Sequence, residues 1–277
     1  MTRFRSTLDG ALDGTPGLVS VSLGRLGAPP AYTRLPDEPH YAASTMKVAV
    51  LVALYRAGDA GTLDLDAPVP VVNDFASALG DGSRYADDPG YDNEREVWDR
   101  LGAAAPARWL ARRMIVRSSN LATNLLIALV GLPAVAEAWR LAGATGSVTG
   151  RGIEDRAAHA AGIDNTVTAA DLARLLGAIA TGSIAGPRAC AEMLDVLAAQ
   201  EQREDLAAGL PDGVRVEHKN GWIPGVRHGA GVVRPGDTPP YVIAVCTTGE
   251  PDGDDDARRL ITRVSRIAWD ARKELTR

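Results

Sequence analysis

The spacing of apolar residues changes several times along this chain, and each change marks an element. Phe4, Leu8 and Leu12 recur every four residues, which predicts an amphipathic helix. Val19, Val21 and Leu23 then alternate with Ser20 and Ser22, the pattern of a half-buried strand. Gly27 to Pro30 turns the chain, and Ala31–Leu35 reads as the returning strand. Next comes Ser44-Thr45-Met46-Lys47, followed by the unbroken apolar run Val48–Tyr55, closed by Gly58. A helix that is apolar all round is a buried helix. Its polar first turn must then open onto a site or carry an unusual cost. Residues 60–102 are rich in turn formers: Pro68, Pro70, Gly80, Gly82, Pro89 and Gly90. Helical stripes resume after Pro106, carried by Leu110 and Met114, then by Leu121, Leu125 and Leu129, then by Val135 and Trp139. Thr168–Asp171 has the form of a capping box that opens Leu172–Ile179. Pro187 opens Cys190–Leu197. Beyond Pro211 the period returns to two, through Val214 and Val216, Gly231–Val233 and Tyr241–Cys246. A last helix starts after Asp254-Asp255-Asp256 and turns Leu260, Val264, Ile267 and Ala271 inward. The acids at its start and Arg272-Lys273 at its end suit the helix dipole.

The order is helix, two strands, many helices, three strands, helix. It predicts an α/β (α+β) class: a five-stranded antiparallel sheet flanked by helices, with an all-helical insertion. The corresponding division is a discontinuous α/β subdomain, 1–56 and 206–277, and an all-helical subdomain, 57–205. Composition agrees with a globular chain long enough for a full core: 277 residues, 45% hydrophobic and 23% charged. A net charge of −5 and a pI near 5.4 argue against a nucleic-acid footprint. No uncharged apolar run approaches the roughly 20 residues of a membrane span. Cys190 and Cys246 make no disulfide framework, and His40, His159, His218 and His228 lack metal spacing. No metal and no cofactor is expected; Cys246 reads as a core residue. Met1–Arg5 is followed by Ser6–Gly10 rather than by an apolar leader segment, so the expectation is a cytoplasmic protein unless a leader has been removed. The expected partner is a small-molecule substrate, not nucleic acid or membrane, acting on a monomer or weak oligomer.

Three short stretches carry candidate chemistry. Ser44 and Lys47 are three apart, hence on one helix face. A serine hydroxyl is a poor nucleophile until a base takes its proton, and a lysine can be that base when burial and nearby charge lower its pKa. The plain alternative is a capping serine beside a solvated lysine; the apolar helix behind them argues against it. Ser118-Ser119-Asn120 falls in a turn between helices, where Ser118 and Asn120 can aim the same way, with Asn124 one turn below. The same residue types suit an ordinary cap. In Val216–Trp222, Lys219 ends a strand and Gly221 lets a ligand lie close to the backbone; the alternative is a charged strand end and a turn.

Taken together and in this order, Ser44-Thr45-Met46-Lys47, Ser118-Ser119-Asn120 and Lys219-Asn220-Gly221 resemble the motifs S-x-x-K, S-D-N and K-T-G of the penicillin-recognising serine hydrolases, specifically the class A β-lactamase-like family. The likeness extends over nearly the whole chain, including Asn124-Leu125-Leu126 and the helix start Asn165–Leu172. The resemblance implies that Ser44 attacks a carbonyl and forms an acyl-enzyme. Lys47 would take its proton, directly or through water. Ser118 would relay a proton to the leaving nitrogen, helped by Lys219. Asn120 would hold the substrate amide carbonyl and steady Lys47. The N–H groups of Ser44 and Trp222 would form an oxyanion hole, each donor worth about 3–4 kcal/mol to the transition state.

The sequence also departs from the family pattern. Ser119 stands where the motif has Asp, the position expected to matter least. Asn220 stands where a hydroxyl helps bind a substrate carboxylate, so Arg227 is either a compensating bidentate clamp or a surface arginine. Class A omega loops carry Glu-x-x-Leu-Asn, whose glutamate activates the deacylating water. In Gly150–His159 the corresponding acid is Glu154, without the Leu-Asn partner. Glu154 is thus a candidate catalytic residue, or one member of an ion-pair cluster with Arg151, Asp155 and Arg156. Asn73–Gly102, with Asp74, Phe75, Ser77, Tyr85 and Tyr91, is longer than the equivalent in compact β-lactamases and forms either a rim of the cleft or a solvated loop. His218, beside Lys219, either modulates its charge or is a hydrogen-bonded strand histidine. The leading function is a serine hydrolase acting on an amide, lactam or ester bond, with Asn120, Asn220, Gly221, Trp222 and Arg227 on the substrate side. The alternatives are a D-amino-acid peptidase, esterase or biosynthetic tailoring hydrolase, a covalent β-lactam sensor with little turnover, and a disused copy of the fold.

Overall fold

Strand β1 (Leu18–Arg25) is where the two ends of the chain meet. It pairs antiparallel with β5 (Tyr241–Thr248) along its whole length, from Leu18 opposite Thr248 to Arg25 opposite Tyr241. Its other edge takes β2 (Tyr32–Arg34). With β3 (Arg215–Ile223) and β4 (Val226–Arg234), the sheet has five antiparallel strands in the order β3-β4-β5-β1-β2. The computed structural model describes residues 3–250 and 253–275. Met1 and Thr2, at the head of the stretch read for a leader, lie outside the described residues.

One face of the sheet packs on α1 (Arg3–Leu12) and the last helix, α8 (Asp254–Asp270). Phe4, Leu8, Val21, Leu23, Ile243, Ile261 and Val264 share that core. The opposite face was expected to be polar on β1, yet Ser20 and Ser22 are buried. The reason is a second helical layer: α6 (Ala169–Ala180) covers β1, β4 and β5 on that side. Ser20 then finds a buried partner, its Oγ lying 2.9 Å from His40 Nε2. The strand is covered twice and its small polar residues let the helix come close.

Helix α2 (Lys47–Asp59) runs through the larger core, and every residue from Lys47 to Tyr55 is buried. Around it stand α3 (Ala107–Val116), α4 (Asn120–Val130), α5 (Leu132–Leu141), α6 and α7 (Pro187–Ala198). Gly58 does not close α2 as the sequence suggests. It lies inside the helix, where a Cβ would stand 2.8 Å from the Leu65 side chain. The turn-rich stretch is folded rather than solvated. Pro68–Pro70 pairs with Ala104–Pro106, and Phe75–Ala76 pairs with Arg84–Tyr85. Phe75 enters the larger core and Tyr85 packs against it. A small sheet that the periodicity does not reveal joins His40–Tyr41, Asn165–Val167 and Val148–Thr149.

Two local readings need correction. Thr168 caps α6 by accepting the Asp171 N–H at 3.1 Å, but the capping box is not reciprocal. The Asp171 carboxylate takes the Gly146 N–H and Arg174 instead, and Ser147 Oγ serves the Thr168 N–H. Helix α8 ends at Asp270, before Arg272-Lys273, and its buried face includes Ile261 and Ala268 while Ile267 is only partly buried. No single helix among the described residues is long and apolar enough to cross a membrane.

Because Leu51 is completely buried in α2, Leu51→Ala should lower the unfolding free energy by about 2–5 kcal/mol in a urea titration. A loss below about 1 kcal/mol would contradict a close-packed core at this helix.

Candidate active site

Ser44 lies in a 3-10 turn, Ala43–Met46, that runs directly into α2. Ala43 before it has φ +43°, a left-handed conformation that a residue with a Cβ adopts at a cost. The turn sits against β3. A Cβ on Gly221 would stand 2.6 Å from the Ser44 nitrogen and 3.0 Å from the Thr45 nitrogen. Only glycine lets the strand reach the amide end of this turn, where helix N–H groups favour negative charge.

Lys47 is fully buried one turn further on. Its three N–H bonds are all used: to Ser118 O at 2.7 Å, Asn120 Oδ1 at 2.9 Å and Ser118 Oγ at 3.2 Å. Lys219, equally buried, donates to the same Ser118 Oγ at 3.1 Å and to Asn220 O at 2.8 Å. Ser118 therefore accepts from two amines, which leaves its own hydroxyl proton free to point elsewhere. Its φ of +63° is a second left-handed conformation at the site. Burial pulls the Lys47 amine down to about 7, against the attraction of Asp92 and Asp87. Burial, then the charge of Lys47, also holds Lys219 well below the usual lysine range, against Asp205 and Glu204. The two amines thus compete for charge around one hydroxyl.

The turn that presents Ser118 and Asn120 is held from the Asn73–Gly102 stretch. Asp92 Oδ2 accepts from Ser119 Oγ at 3.1 Å, from the N–H groups of Asn120 at 3.0 Å and Leu121 at 2.9 Å, and from Trp98 Nε1 at 3.0 Å. Asn120 Nδ2 donates to Tyr91 O at 3.0 Å. This stretch is a wall of the site, not a solvated loop. It also reaches the 150–155 loop: Asp155 accepts from Ser77 Oγ at 2.9 Å and from the Ala78 N–H at 2.8 Å. Asn124 joins all three pieces. It bonds both backbone groups of Ile153, at 2.8 and 2.9 Å, and donates to Asp87 Oδ1 at 2.7 Å.

Ser44, Lys47, Ser118, Asn120, Lys219 and Gly221 therefore converge. Trp222 is half-buried beside them, its ring 5.5 Å from the Arg227 guanidinium. Glu154 has φ +62°; its Oε2 accepts the Asp88 N–H at 3.2 Å and lies 3.8 Å from Arg156. Its Oε1 is buried without a partner, and burial raises its carboxyl. Within the expected ion-pair cluster only Glu154 and Arg156 pair; Arg151 goes to Asp164 at 3.0 Å, and Asp155 caps Arg156–Ala160. His218 is buried with neither ring nitrogen bonded, and burial pushes it down to about 3, so it stays neutral.

Two residues expected on the substrate side are engaged within the protein. Asn220 spends its amide on the protein, Nδ2 donating to Asp205 Oδ2 at 3.1 Å and Gln202 O at 3.3 Å while Oδ1 faces Lys219 Nζ at 3.5 Å. Arg227 is neither a free clamp nor a surface arginine. It is buried against Asp254 at 2.7 Å, Glu204 at 3.3 Å and Asp205 at 3.6 Å. A buried guanidinium needs buried counter-charge, and the chain supplies its own. Asp87, Asp92 and Asp205 are the site residues that sequence reasoning missed. They carry no signal in spacing, being ordinary acids in polar stretches. Among the described residues no three His, Cys, Asp or Glu side chains are grouped to hold a metal.

Arg227→Gln should cost about 3 kcal/mol of stability in chemical denaturation, because it strands the buried Asp205 charge. Apparent affinity for a carboxylate-bearing β-lactam should change by less than about twofold. Weaker binding with unchanged stability would restore Arg227 as a clamp.

The family model described as the beta-lactamase enzyme family matches residues 3–272. No curated protein sequence matches the chain. The solved structure of PBP-A superposes with a TM-score of 0.84 at 24% identity, over 99% of this chain and 97% of that one. A PBP-A mutant, solved as an acyl-enzyme complex with penicillin G, gives 0.83 at 24%, over 99% and 97%. A beta-lactamase from Sphaerobacter thermophilus gives 0.81 at 25%, over 98% and 97%. The extent of these matches agrees with the motif order and with the five-stranded sheet. The chain belongs to the beta-lactamase enzyme family and has the fold of these solved structures.

Proposed function

We propose that the protein cleaves an amide, lactam or ester bond of a small molecule through an acyl-enzyme on Ser44. The observation that carries this reading is the convergence of Lys47 and Lys219 on Ser118 Oγ, at 3.2 and 3.1 Å, beside the turn that holds Ser44. Neutral Lys47 accepts the Ser44 proton as the oxygen attacks the carbonyl carbon. The developing oxyanion faces the N–H groups of Ser44 and Trp222, donors that strengthen as charge appears. Ser118, held by both amines, passes a proton to the leaving nitrogen or oxygen. The acyl-enzyme recorded for the PBP-A mutant with penicillin G supports the same intermediate on this fold.

The charge arrangement favours one part of that substrate range. Arg227 and Asn220 are taken up by Asp205, Glu204 and Asp254. An acyl donor anchored by its own carboxylate cannot use Arg227, which these acids already hold. Esters, amides and peptides without such an anchor fit better, which is the peptidase, esterase or tailoring-hydrolase reading. The second reading, a covalent β-lactam trap with little turnover, is favoured by Glu154, whose Oε2 is engaged by the Asp88 amide.

Intact-mass measurement after adding a β-lactam or a chromogenic ester distinguishes these readings. Rapid ester turnover with slow lactam reaction supports the hydrolase reading, and a persistent lactam adduct supports the trap. Ser44→Ala should remove both adduct and turnover; retained turnover would exclude this mechanism. The acylation rate should rise with pH around 7, because Lys47 can accept a proton only after losing its own. A flat rate between about pH 5 and 9 would exclude Lys47 as the base.

A further inference from the structure

Helix α4 holds two asparagines one turn apart on one face. Asn120 Oδ1 accepts from the Lys47 amine at 2.9 Å, and Asn124 Nδ2 donates to Asp87 Oδ1 at 2.7 Å. Residues so spaced are neighbours, about 5–6 Å apart at Cβ. The Asp87 carboxyl and the Lys47 amine are thus hung side by side, and each feels the other's charge. The backbone of Asp87 is fixed from both sides by Asn73, whose Oδ1 accepts its N–H at 2.8 Å and whose Nδ2 donates to its C=O at 2.9 Å. Asp87 is only 4% exposed, yet its Oδ2 has no partner. Glu154 Oε1 is a second orphaned carboxyl oxygen, and the charge on Glu154 acts on Asp87. Each of these buried carboxyls, with an unpaired oxygen and in the other's field, calls for a proton or a water. Asp92 offers no alternative, since its Oδ2 already accepts four donors.

We propose that Asp87, carried by the Asn73–Gly102 wall, is the base that takes a proton from the water that hydrolyses the Ser44 acyl-enzyme. The proposal rests on the acyl-enzyme reading above. In the step, ionised Asp87 accepts a water proton as the water oxygen bonds to the acyl carbonyl carbon. The tetrahedral intermediate collapses by breaking its bond to Ser44 Oγ. The proton on Asp87 passes through the Lys47 amine to that oxygen, restoring the hydroxyl and releasing a carboxylic acid. Glu154 also has an unpaired oxygen, but its carboxyl is drawn to the Asp88 amide and Arg156, whereas Asp87 lies in the field of Lys47.

The surroundings set the pH dependence. Burial pushes the Asp87 carboxyl up to about 8, with Glu154 from the loop and Asp92 from its own stretch adding to the rise. The Asn124 hydrogen bond and Lys47 from α2 oppose it. Tyr85, also close to Asp87, is itself pushed up by burial and stays protonated. Asp87 therefore ionises as pH climbs through 8, and release of the acyl group should accelerate over that range.

The test labels wild type and Asp87→Asn with the same β-lactam or chromogenic ester and follows loss of the adduct by intact mass. The amide at 87 can still accept from Asn124, so the variant should fold and acylate within several-fold of wild type. Its adduct should persist about a hundredfold longer, without the rise near pH 8, and Asp87→Glu should recover part of that rise. Equal release from wild type and Asp87→Asn would overturn the proposal alone. Loss of acylation together with release would mark a structural role and also overturn it, as would the full loss appearing in Glu154→Gln instead. Absence of both adduct and turnover with every such reagent on wild type would overturn both this proposal and the acyl-enzyme reading.

Discussion

Two lysine amines, buried far from water, share one serine hydroxyl. Placing a single ammonium in such a setting is costly, and placing two side by side is costlier. The protein resolves this by giving Lys47 three acceptors and by lowering the proton affinity of both amines. A Lys47 amine pulled down to about 7 is the product of that compromise. Much of the surrounding architecture keeps these amines dry, opposed and hydrogen-bonded.

The scaffold does so by close approach. Helix α2 is apolar on every side because helices pack all around it, which excludes water from the stem of Lys47. Strand β3 comes near enough to the Ser44 turn that Gly221 has no room for a side chain. Left-handed residues mark the seams: among the described residues four non-glycines have positive φ, and Ala43, Ser118 and Glu154 are three of them. Strain concentrated at a site in this way is held by the packing around it.

The Asn73–Gly102 wall supplies negative charge to the Lys47 side of the site. Asp92 replaces, from another part of the chain, the acid missing at Ser119, and it fixes the same turn by accepting from Ser119, Asn120 and Leu121. At the Lys219 side, Asp205, Glu204 and Asp254 occupy Arg227, so its charge is neutralised within the protein. One wall thus sets the charge around Lys47, while the opposite side neutralises Arg227.

The five strands, the long helices and the order Ser44-Lys47, Ser118-Asn120, Lys219-Gly221 were legible in the sequence, because periodicity and glycine placement are local consequences of backbone geometry. So was the burial of α2, from its unbroken apolar run. The roles of Asp87, Asp92 and Asp205 were not, nor was the fate of Arg227 and Asn220. An acid in a Gly- and Pro-rich stretch looks the same whether it faces water or a buried amide. Ser20 and Ser22 illustrate the same limit, since only the second helical layer shows that their face is covered. By itself the sequence determined which residues are candidates for the chemistry and which elements carry them. The tertiary structure decided which charges neutralise one another, because electrostatic pairing depends on distances between segments that the chain order does not encode.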